Sequence, residues 1–449
     1  MPTRCAAWCA CQRKPRDERD RQFPTLRDAR ALRATLMQLL VFNAGSSSLK
    51  FDLIEVPGQG PARRLKAGAF VDRADGSGEL ALQTGEPAPP ISAPIRTLAE
   101  AADFVLAWLS QVAVHGRDLL AGLDATVHRI VHGGETFRAT ARLGDSDLAA
   151  LAELSVLAPL HNPPALSVVA TVRARLGTGR PVIGVFDTAY YAQLPEVAYR
   201  YAVPKHWHEA FGVRRYGFHG TAHRYLCGAA RERVPPGRPT SRVISLQLGR
   251  GCSVTATRDE HAIATSMGFT PLEGLVMGTR SGDVDPGALL YVMERTGMSA
   301  AQMRRELNAD SGLLGLSSRT ADMRELLALA QSGDASAALA IEIFCRRARH
   351  YVAAYMSELD GVDLIVFGGG IGEHCPEIRR RILSGLGWAG IDINPEANRA
   401  CVGIDGSIGT PASRAAVEVI RVDEASVLAG EAAALLRAHH LMATCRVAR

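Results

Sequence analysis

Two turns in this chain are built from the small and hydroxylated residues that let a phosphate approach the backbone. Asn43-Ala44-Gly45-Ser46-Ser47-Ser48 offers N–H groups and three hydroxyls with no bulky side chain in the way, and Lys50 follows two residues later. Such concave turns cradle phosphate oxygens. Gly249-Arg250-Gly251-Cys252-Ser253 repeats the device about 200 residues on. Either turn alone is equally an ordinary hairpin connection; two of them facing one another suit a single polyphosphate. His128-Arg129-Ile130-Val131-His132-Gly133-Gly134-Glu135 adds an arginine beside a double-glycine turn, an arrangement that suits either anion binding or a surface ion pair. A second glycine-flanked arginine, Arg280, lies in Met277-Gly278-Thr279-Arg280-Ser281-Gly282-Asp283-Val284-Asp285-Pro286, next to two carboxylates. Two arginines, Mg²⁺-competent carboxylates and phosphate turns are the parts phosphoryl transfer requires. His161-Asn162-Pro163, Asp187-Thr188 and Phe218-His219-Gly220-Thr221-Ala222-His223 supply further polar groups. The chain contains no Walker A sequence, and Gly368-Gly369-Gly370-Ile371-Gly372 lacks the G-x-G-x-x-G spacing. A P-loop fold and a Rossmann dehydrogenase are both disfavoured.

Strands must present these turns. Residues 39–42 are a short apolar run, and residues 49–56 alternate (Leu49, Phe51, Leu53) after the first turn, which predicts a hairpin. Residues 243–248 and 254–258 flank the second turn in the same way. One such hairpin per half predicts two similar domains facing each other across a cleft. Helical spacing marks residues 98–114 (Leu98, Ala101, Phe104, Val105, Trp108, Leu109) and 335–359. Residues 363–367 read as a buried strand whose glycine-rich turn leads into a helix over 376–386, and the Pro/Gly-rich stretch 84–94 reads as a surface loop. Strands alternating with helices give an α/β class with both sheets covered.

Composition narrows the function. With 47% hydrophobic and 22% charged residues, the chain buries a core of about two or three domains. No apolar run approaches the roughly 18 to 20 residues of a membrane helix. The net charge of +5 sits wholly in residues 1–36, where nine Lys and Arg face four Asp and Glu; the rest carries 42 of each. That neutral body has no basic stripe for nucleic acid. The arginine-rich tail lacks the apolar segment of a secretory signal, and its acidic residues weigh against a mitochondrial presequence. It is expected to be a disordered extension, or a start placed too early, with Met37 opening the folded part. Nine scattered cysteines fit reduced thiols and the cytoplasm, and Cys5, Cys9 and Cys11 lack the partners of a zinc site.

NAGSSSLKF, HRIVHGGE, APLHNP, FDTAYY, RRYGFHGT, TSMGFTPLEGLVMGTRSGDVDP and GGGIGE stand in the order and approximate spacing of the acetate and propionate kinases. From about residue 37 to 436 the chain resembles that family, which belongs with the sugar kinases, heat-shock chaperones and actin. The resemblance implies two duplicated RNase H-like domains around a nucleotide cleft, and a homodimer. After the extension 1–36, residues 37–190 with 423–449 would form the acyl-substrate side and residues 191–422 the nucleotide side. The implied reaction is reversible transfer from ATP to acetate, giving ADP and acetyl phosphate, with Mg²⁺ (or Mn²⁺). Two alternatives stay open: a propionate or butyrate kinase of the same family, and a nucleotide-binding protein without transferase activity. The second predicts loss of both arginines and of the acyl pocket.

Carried over by resemblance, Asn43 and Glu424 hold the metal. Arg129, Arg280 and His219 embrace the transferring phosphoryl group, with His161 close by. Val131, Leu160, Phe218 and Pro271 form the pocket for the methyl group, with Arg129 reaching the carboxylate. Ser46, Ser48, Lys50, Gln247, Gly249, Arg250 and Gly251 face the nucleotide phosphates. Asp322, Met323 and Arg324 flank the adenine, with Gly370, Ile371, Gly372 and His374 along the nucleoside. A carboxylate is already ionised at neutral pH and needs no general base, so Asp187 is cast as an orienting partner for an arginine or for metal-bound water. Both arginines are expected in a solvent-accessible cleft. The chain departs from the family at Gln247 and Arg250, where histidine and asparagine are usual. It departs again at His374 for asparagine, and at Val422-Asp423-Glu424-Ala425 for Thr-Asn-Glu-Glu. These changes touch the phosphate-donor side and leave the arginines and acyl pocket intact.

Overall fold

The computed structural model describes residues 36–45, 48–72, 78–83, 91–93, 95–114 and 117–447. The expected extension 1–36 lies, except for Leu36, outside the described residues, as does Ser46. The first hairpin forms as its alternation predicts: β1 (Met37–Ala44) pairs antiparallel with β2 (Ser48–Val56), Asn43 opposite Lys50, and the Gly45 N–H donates to the Ser48 carbonyl at 2.7 Å. β3 (Arg63–Asp72), β4 (Gly78–Gln83) and β5 (Ile91–Ala93) extend the meander. The stretch read as the loop 84–94 therefore contributes a strand; residues 84–90 and 94 lie outside the described residues. On the other side of β1, β6 (Ala125–Ile130) and then β8 (Val182–Phe186) add in parallel, and β7 (Ala141–Arg142) closes the edge antiparallel. The sheet order is β5-β4-β3-β2-β1-β6-β8-β7.

Successive strand side chains point to opposite faces, and the first sheet is covered accordingly. Leu40, Phe42, Leu49 and Phe51 pack under α1 (Leu98–Gln111) and α2 (Asn162–Leu176). Helix α1 starts where the Thr97 side chain accepts from the Glu100 N–H, and it stops at Gln111 because Val112 is extended, three residues short of the predicted end.

The second sheet repeats the plan. β9 (Arg242–Leu248), β10 (Cys252–Arg258) and β11 (His261–Thr265) form an antiparallel meander. β12 (Leu364–Gly368) and β14 (Ala416–Val419) add in parallel, with β13 (Gly406–Ser407) antiparallel at the edge, giving β11-β10-β9-β12-β14-β13. Alternation along β12 again decides the faces. Leu364 and Val366 meet Leu226 and Ala230 of α3 (Gly220–Arg233). Helix α4 (Pro286–Thr296) precedes α5 (Ala335–Glu358), whose Ile341, Phe344 and Cys345 lie in one cluster with Ile365 and Phe367.

The glycine run after β12 is a short helix in its own right, α6 (Gly369–His374), rather than only a turn. Gly369 takes φ +74°, with Leu248 backbone within 3 Å of where a Cβ would stand, and its N–H donates to Glu373 Oε1 at 2.9 Å. Helix α7 (Pro376–Leu383) follows and ends three residues before the predicted position. The last helix, α8 (Glu424–Val447), returns to the first sheet, where Ala425, Leu428, Ala429, Ala432 and Ala433 cover Leu39, Val41, Ile54 and Val56. Among the described residues no helix is long and apolar enough to cross a membrane.

Candidate active site

Five segments meet where the parallel strands of the first sheet end. Arg129 leaves the end of β6, and its Nε and Nη2 donate to Asp187 Oδ1 and Oδ2 at 3.0 and 2.5 Å. Its Nη1 donates to Asn43 Oδ1 at 3.1 Å, from the end of β1. Asn43 Nδ2 donates in turn to Glu424 Oε2 at 2.7 Å, at the first residue of α8. Thr221 Oγ1 closes the ring, 3.0 Å from Asp187 Oδ1 and 3.2 Å from Glu424 Oε1. Asp187 is fully buried and the Arg129 side chain only 11% exposed, so Arg129 lies deeper than the open cleft expected of it. Burial opposes its charge, but Asp187 and Glu424 outweigh that and hold the guanidinium firmly protonated.

Arg280 has the opposite surroundings. Its Nη1 donates to the Pro271 carbonyl at 2.6 Å, and no described carboxylate lies within ion-pair distance. Burial therefore pushes its pKa down. A half-buried cation without a counterion is partly desolvated at a cost, and an arriving anion relieves that cost.

Two histidines stand with the arginines. Burial first, and then the charges of Arg129 and Arg280, hold His219 down to about 3. Burial first, and then Arg280 and Arg129, hold His161 down to about 4. Both rings are neutral at pH 7. His219 caps the start of α3 with left-handed backbone (φ 59°), uncommon for a non-glycine residue, and its Nδ1 lies 2.8 Å from Ser253 Oγ.

The second glycine turn closes over this cluster. A Cβ on Gly251 would stand 2.7 Å from Arg280 Nη2 and 3.3 Å from His219 Nε2, so the absence of a side chain there is what leaves room for both. The same construction at Gly249 comes within 4.0 Å of the Gly370 N, which brings the turn and α6 together. Arg250 is exposed, and Gln247 lies opposite Gly368 in register with its Oε1 buried and without a hydrogen-bond partner. The Asp322 side chain caps the helix Met323–Gln331 and pairs with Arg324 at 2.7 Å; that bond, first of all, holds the Asp322 carboxyl down to about 2. Both residues act electrostatically on Cys375, the residue that caps the end of α6 with its Ile371 and Gly372.

Not every expected residue joins in. His374 packs toward Gly403, whose Cβ would meet its ring at 2.7 Å, at the far end of α6. Lys50 is exposed on β2, where its charge acts on Asp52, and Ser48 is half-buried on the same strand. Val131 and Phe218 are buried in the core of the second sheet with Tyr216, while Leu160 is 56% exposed. Thr221, Ser253 and His223 stand within motifs read from the sequence, but no role of their own is assigned to them there. The spacing of His219 and His223, one helical turn apart, was the available signal.

A metal would find one partly exposed carboxylate here, Glu424, with the Asn43 amide beside it. Among the described residues no group of three or more His, Cys, Asp or Glu could enclose an ion. That set fits Mg²⁺, which is held by one or two carboxylates plus substrate phosphates and water.

The profile of the acetokinase family matches residues 38–430. Over 401 residues the chain is 43% identical to the acetate kinase of Solibacter usitatus (strain Ellin6076), covering 88% of this chain and 97% of that one. It is 39% identical over 407 residues to the acetate kinase of Chloroherpeton thalassium, with the same coverage of both chains. Among solved structures, Porphyromonas gingivalis acetate kinase superposes with a TM-score of 0.80 at 35% identity, covering 89% of this chain and all of that one. A propionate kinase from Francisella tularensis subsp. tularensis SCHU S4 reaches 0.79 at 34% identity, covering 88% of this chain and 98% of its own.

Proposed function

The chain belongs to the acetokinase family, kinases that transfer phosphate to a carboxylate with ATP as co-substrate, and from that premise we propose that the cluster around Arg129 and Arg280 is its phosphoryl-transfer site. The observation that carries this reading is Arg280, half-buried beside a glycine turn with no described counterion. The preferred acceptor is acetate. An acetate oxygen attacks the γ-phosphorus, the new C–O–P link forms as the bond to the β-phosphate oxygen breaks, and ADP leaves.

No base is needed, because the nucleophile is already ionised. What the protein supplies is charge neutralisation on the equatorial oxygens and in-line alignment. Arg280 and Arg129 provide the first, with His219 and His161 as neutral groups between them. Asp187 fixes the plane of Arg129 through its paired contact and so acts as an orienting residue. Glu424 and Asn43 would hold Mg²⁺, which when bound adds positive charge at the phosphates. Gly249, Gly251 and Gly370 leave room for the nucleotide, with Asp322, Met323 and Arg324 at its adenine end. Residues 37–190 with 423–449 then form the acyl side, and residues 191–422 the nucleotide side.

Val131, Phe218, Leu160 and Pro271 are the proposed acyl pocket. One methylene is worth about 1 to 3 kcal/mol in such a pocket, which separates acetate from its longer homologues by only about 10- to 200-fold. The test is trapping acyl phosphate with hydroxylamine from acetate, propionate and butyrate, each with ATP and Mg²⁺. Acetate is expected to give the highest kcat/KM, and a chelator in excess of the metal to abolish the signal. No acyl phosphate from any acid would overturn the kinase reading; butyrate in first place would overturn the acceptor.

Arg250 stands exposed on the turn that would face the phosphates. Arg250→Asn is expected to weaken ATP by about 1 to 2 kcal/mol, the scale of one charge-assisted hydrogen bond, and to leave the acetate KM unchanged. A severalfold rise in turnover would instead mark the arginine as an obstruction.

A homodimer is part of the proposal. No residue of α4 is buried, and Leu290 and Tyr291 are each 61% exposed on it, an apolar face that a second copy would cover. Cys227, Cys252, Cys345, Cys375 and Cys401 are free and buried, which favours a reducing compartment such as the cytoplasm.

A further inference from the structure

Behind His219 a file of hydrogen bonds runs from the cleft into the core. Ser253 Oγ lies 2.8 Å from His219 Nδ1 and 2.7 Å from His223 Nε2, and His223 Nδ1 lies 2.7 Å from Ser245 Oγ. Ser253, His223 and Ser245 are fully buried. The two histidines come from the start of α3, one turn apart, and the two serines from β9 and β10. The transfer chemistry above uses none of these three.

A hydroxyl set between two imidazole nitrogens makes the file directional, because it has one proton to give. In the inward arrangement Ser253 donates to His223, accepts from His219 Nδ1–H, and His223 donates to Ser245. Ser245 must then reach the Thr255 carbonyl at 3.5 Å, the outer limit for a hydrogen bond. His219 would show the cleft a bare Nε2 lone pair. In the outward arrangement Ser245 donates to His223 Nδ1, His223 Nε2–H to Ser253, and Ser253 to His219 Nδ1. His219 Nε2 then carries the proton. All three bonds of that arrangement are 2.7–2.8 Å.

Nε2 is the atom that faces the cleft, 3.3 Å from where a Gly251 Cβ would stand. A phosphoryl oxygen there repels a lone pair and accepts an N–H. The charged groups acting on this ring are Arg129, Arg280 and Glu424, with His161 and His223 as titratable neighbours. With two guanidinium groups already present, a third cation is disfavoured.

We propose that Ser253 and His223 are positioning residues that hold His219 as its neutral Nε2–H tautomer, so that an uncharged imidazole donates a hydrogen bond to the transferring phosphoryl group. The inference rests on the phosphoryl-transfer reading of this cleft. No proton is gained or lost along the file; the orientation of each donor is what matters.

The test pairs kinetics with nitrogen NMR. Ser253→Ala is expected to lower kcat by about 10- to 100-fold, as loss of an orienting partner does, with both substrate KM values within about threefold of wild type. Ser253→Thr, which keeps the hydroxyl, should restore most of the loss. In ¹⁵N-histidine-labelled wild-type enzyme with ADP and Mg²⁺, the His219 signals, assigned by their absence in His219→Gln, should show a protonated Nε2 and a bare Nδ1 at neutral pH. A protonated Nδ1 with a bare Nε2, or two protonated nitrogens, overturns the proposal even if Ser253→Ala fails to fold. Loss of turnover in His219→Gln with none in Ser253→Ala overturns the relay alone. Normal turnover in His219→Gln overturns the cleft assignment itself.

Discussion

Replacing Arg280 with alanine is expected to cut turnover by about 10²- to 10⁴-fold, the range for removing a preorganised charge from a transition state. The fold should survive. Arg280 has no described carboxylate partner, and its pKa is depressed by burial, so its removal strands no anion and relieves a desolvated cation. The melting temperature should stay at or slightly above that of the wild type. Arg129→Ala makes the informative contrast. It should lose turnover on the same scale, but it leaves Asp187 fully buried with its main counterion gone. Breaking a buried pair from one side costs about 3 to 5 kcal/mol, so this variant should also melt early. Acetyl phosphate formation and thermal unfolding, measured on both proteins, separate the two cases. Near-normal turnover in Arg280→Ala would remove its loop from the active site.

The second large effect lies away from the chemistry. Arg379, on α7, is fully buried. Its Nη1 donates to the Gly372 and Glu373 carbonyls at 2.6 and 3.2 Å, and its Nη2 to those of Asn398 and Cys401 at 2.8 and 2.6 Å. Its Nε donates to Asn398 Oδ1 at 2.9 Å. The first two carbonyls belong to the last turn of α6, and those of Asn398 and Cys401 to the end of the helix Pro395–Ala400, the kind of groups a helix terminus leaves unpaired. One guanidinium thus serves two helix ends. Arg379→Ala strands several buried acceptors and opens a cavity, and a loss of about 3 to 5 kcal/mol is expected. Arg379→Lys should recover little, since an ammonium cannot reproduce the planar fork. Because α6 frames the proposed nucleoside site, the ATP KM should rise in any variant that stays folded. Denaturant unfolding within 1 kcal/mol of wild type would refute this reading.

Arg379 also marks where sequence reading ran out. Local signals were legible: alternation around two glycine turns located both hairpins, and the glycine-flanked arginines drew attention to Arg129 and Arg280. The helix α6 was not, because three glycines among six residues argue against a helix; a positive φ at Gly369 and the Glu373 side chain on its N–H make it possible. Partners far apart in sequence were only partly legible. Asp187 is expected to orient an arginine or metal-bound water, but nothing near Arg129, 58 residues away, says that Arg129 is that arginine. Thr221 gives no sign that it bridges two carboxylates. Glu424 was identified through resemblance alone, since its bond to Asn43 spans 381 residues.

That span has a consequence for synthesis. The apolar face of Leu39, Val41, Ile54, Val56, Ala125 and Val127 is complete once β8 has been made, yet its cover arrives only with α8. Roughly 240 residues separate Phe186 from Glu424, and at about 5 to 20 residues per second the ribosome needs about 12 to 48 s to translate them. Throughout that interval the nascent first lobe carries an exposed greasy sheet, a natural client for a ribosome-associated chaperone. A polypeptide released before residue 424 would lack both the cover and Glu424, the carboxylate proposed for the metal, so truncated translation products are left sticky and without part of the proposed site.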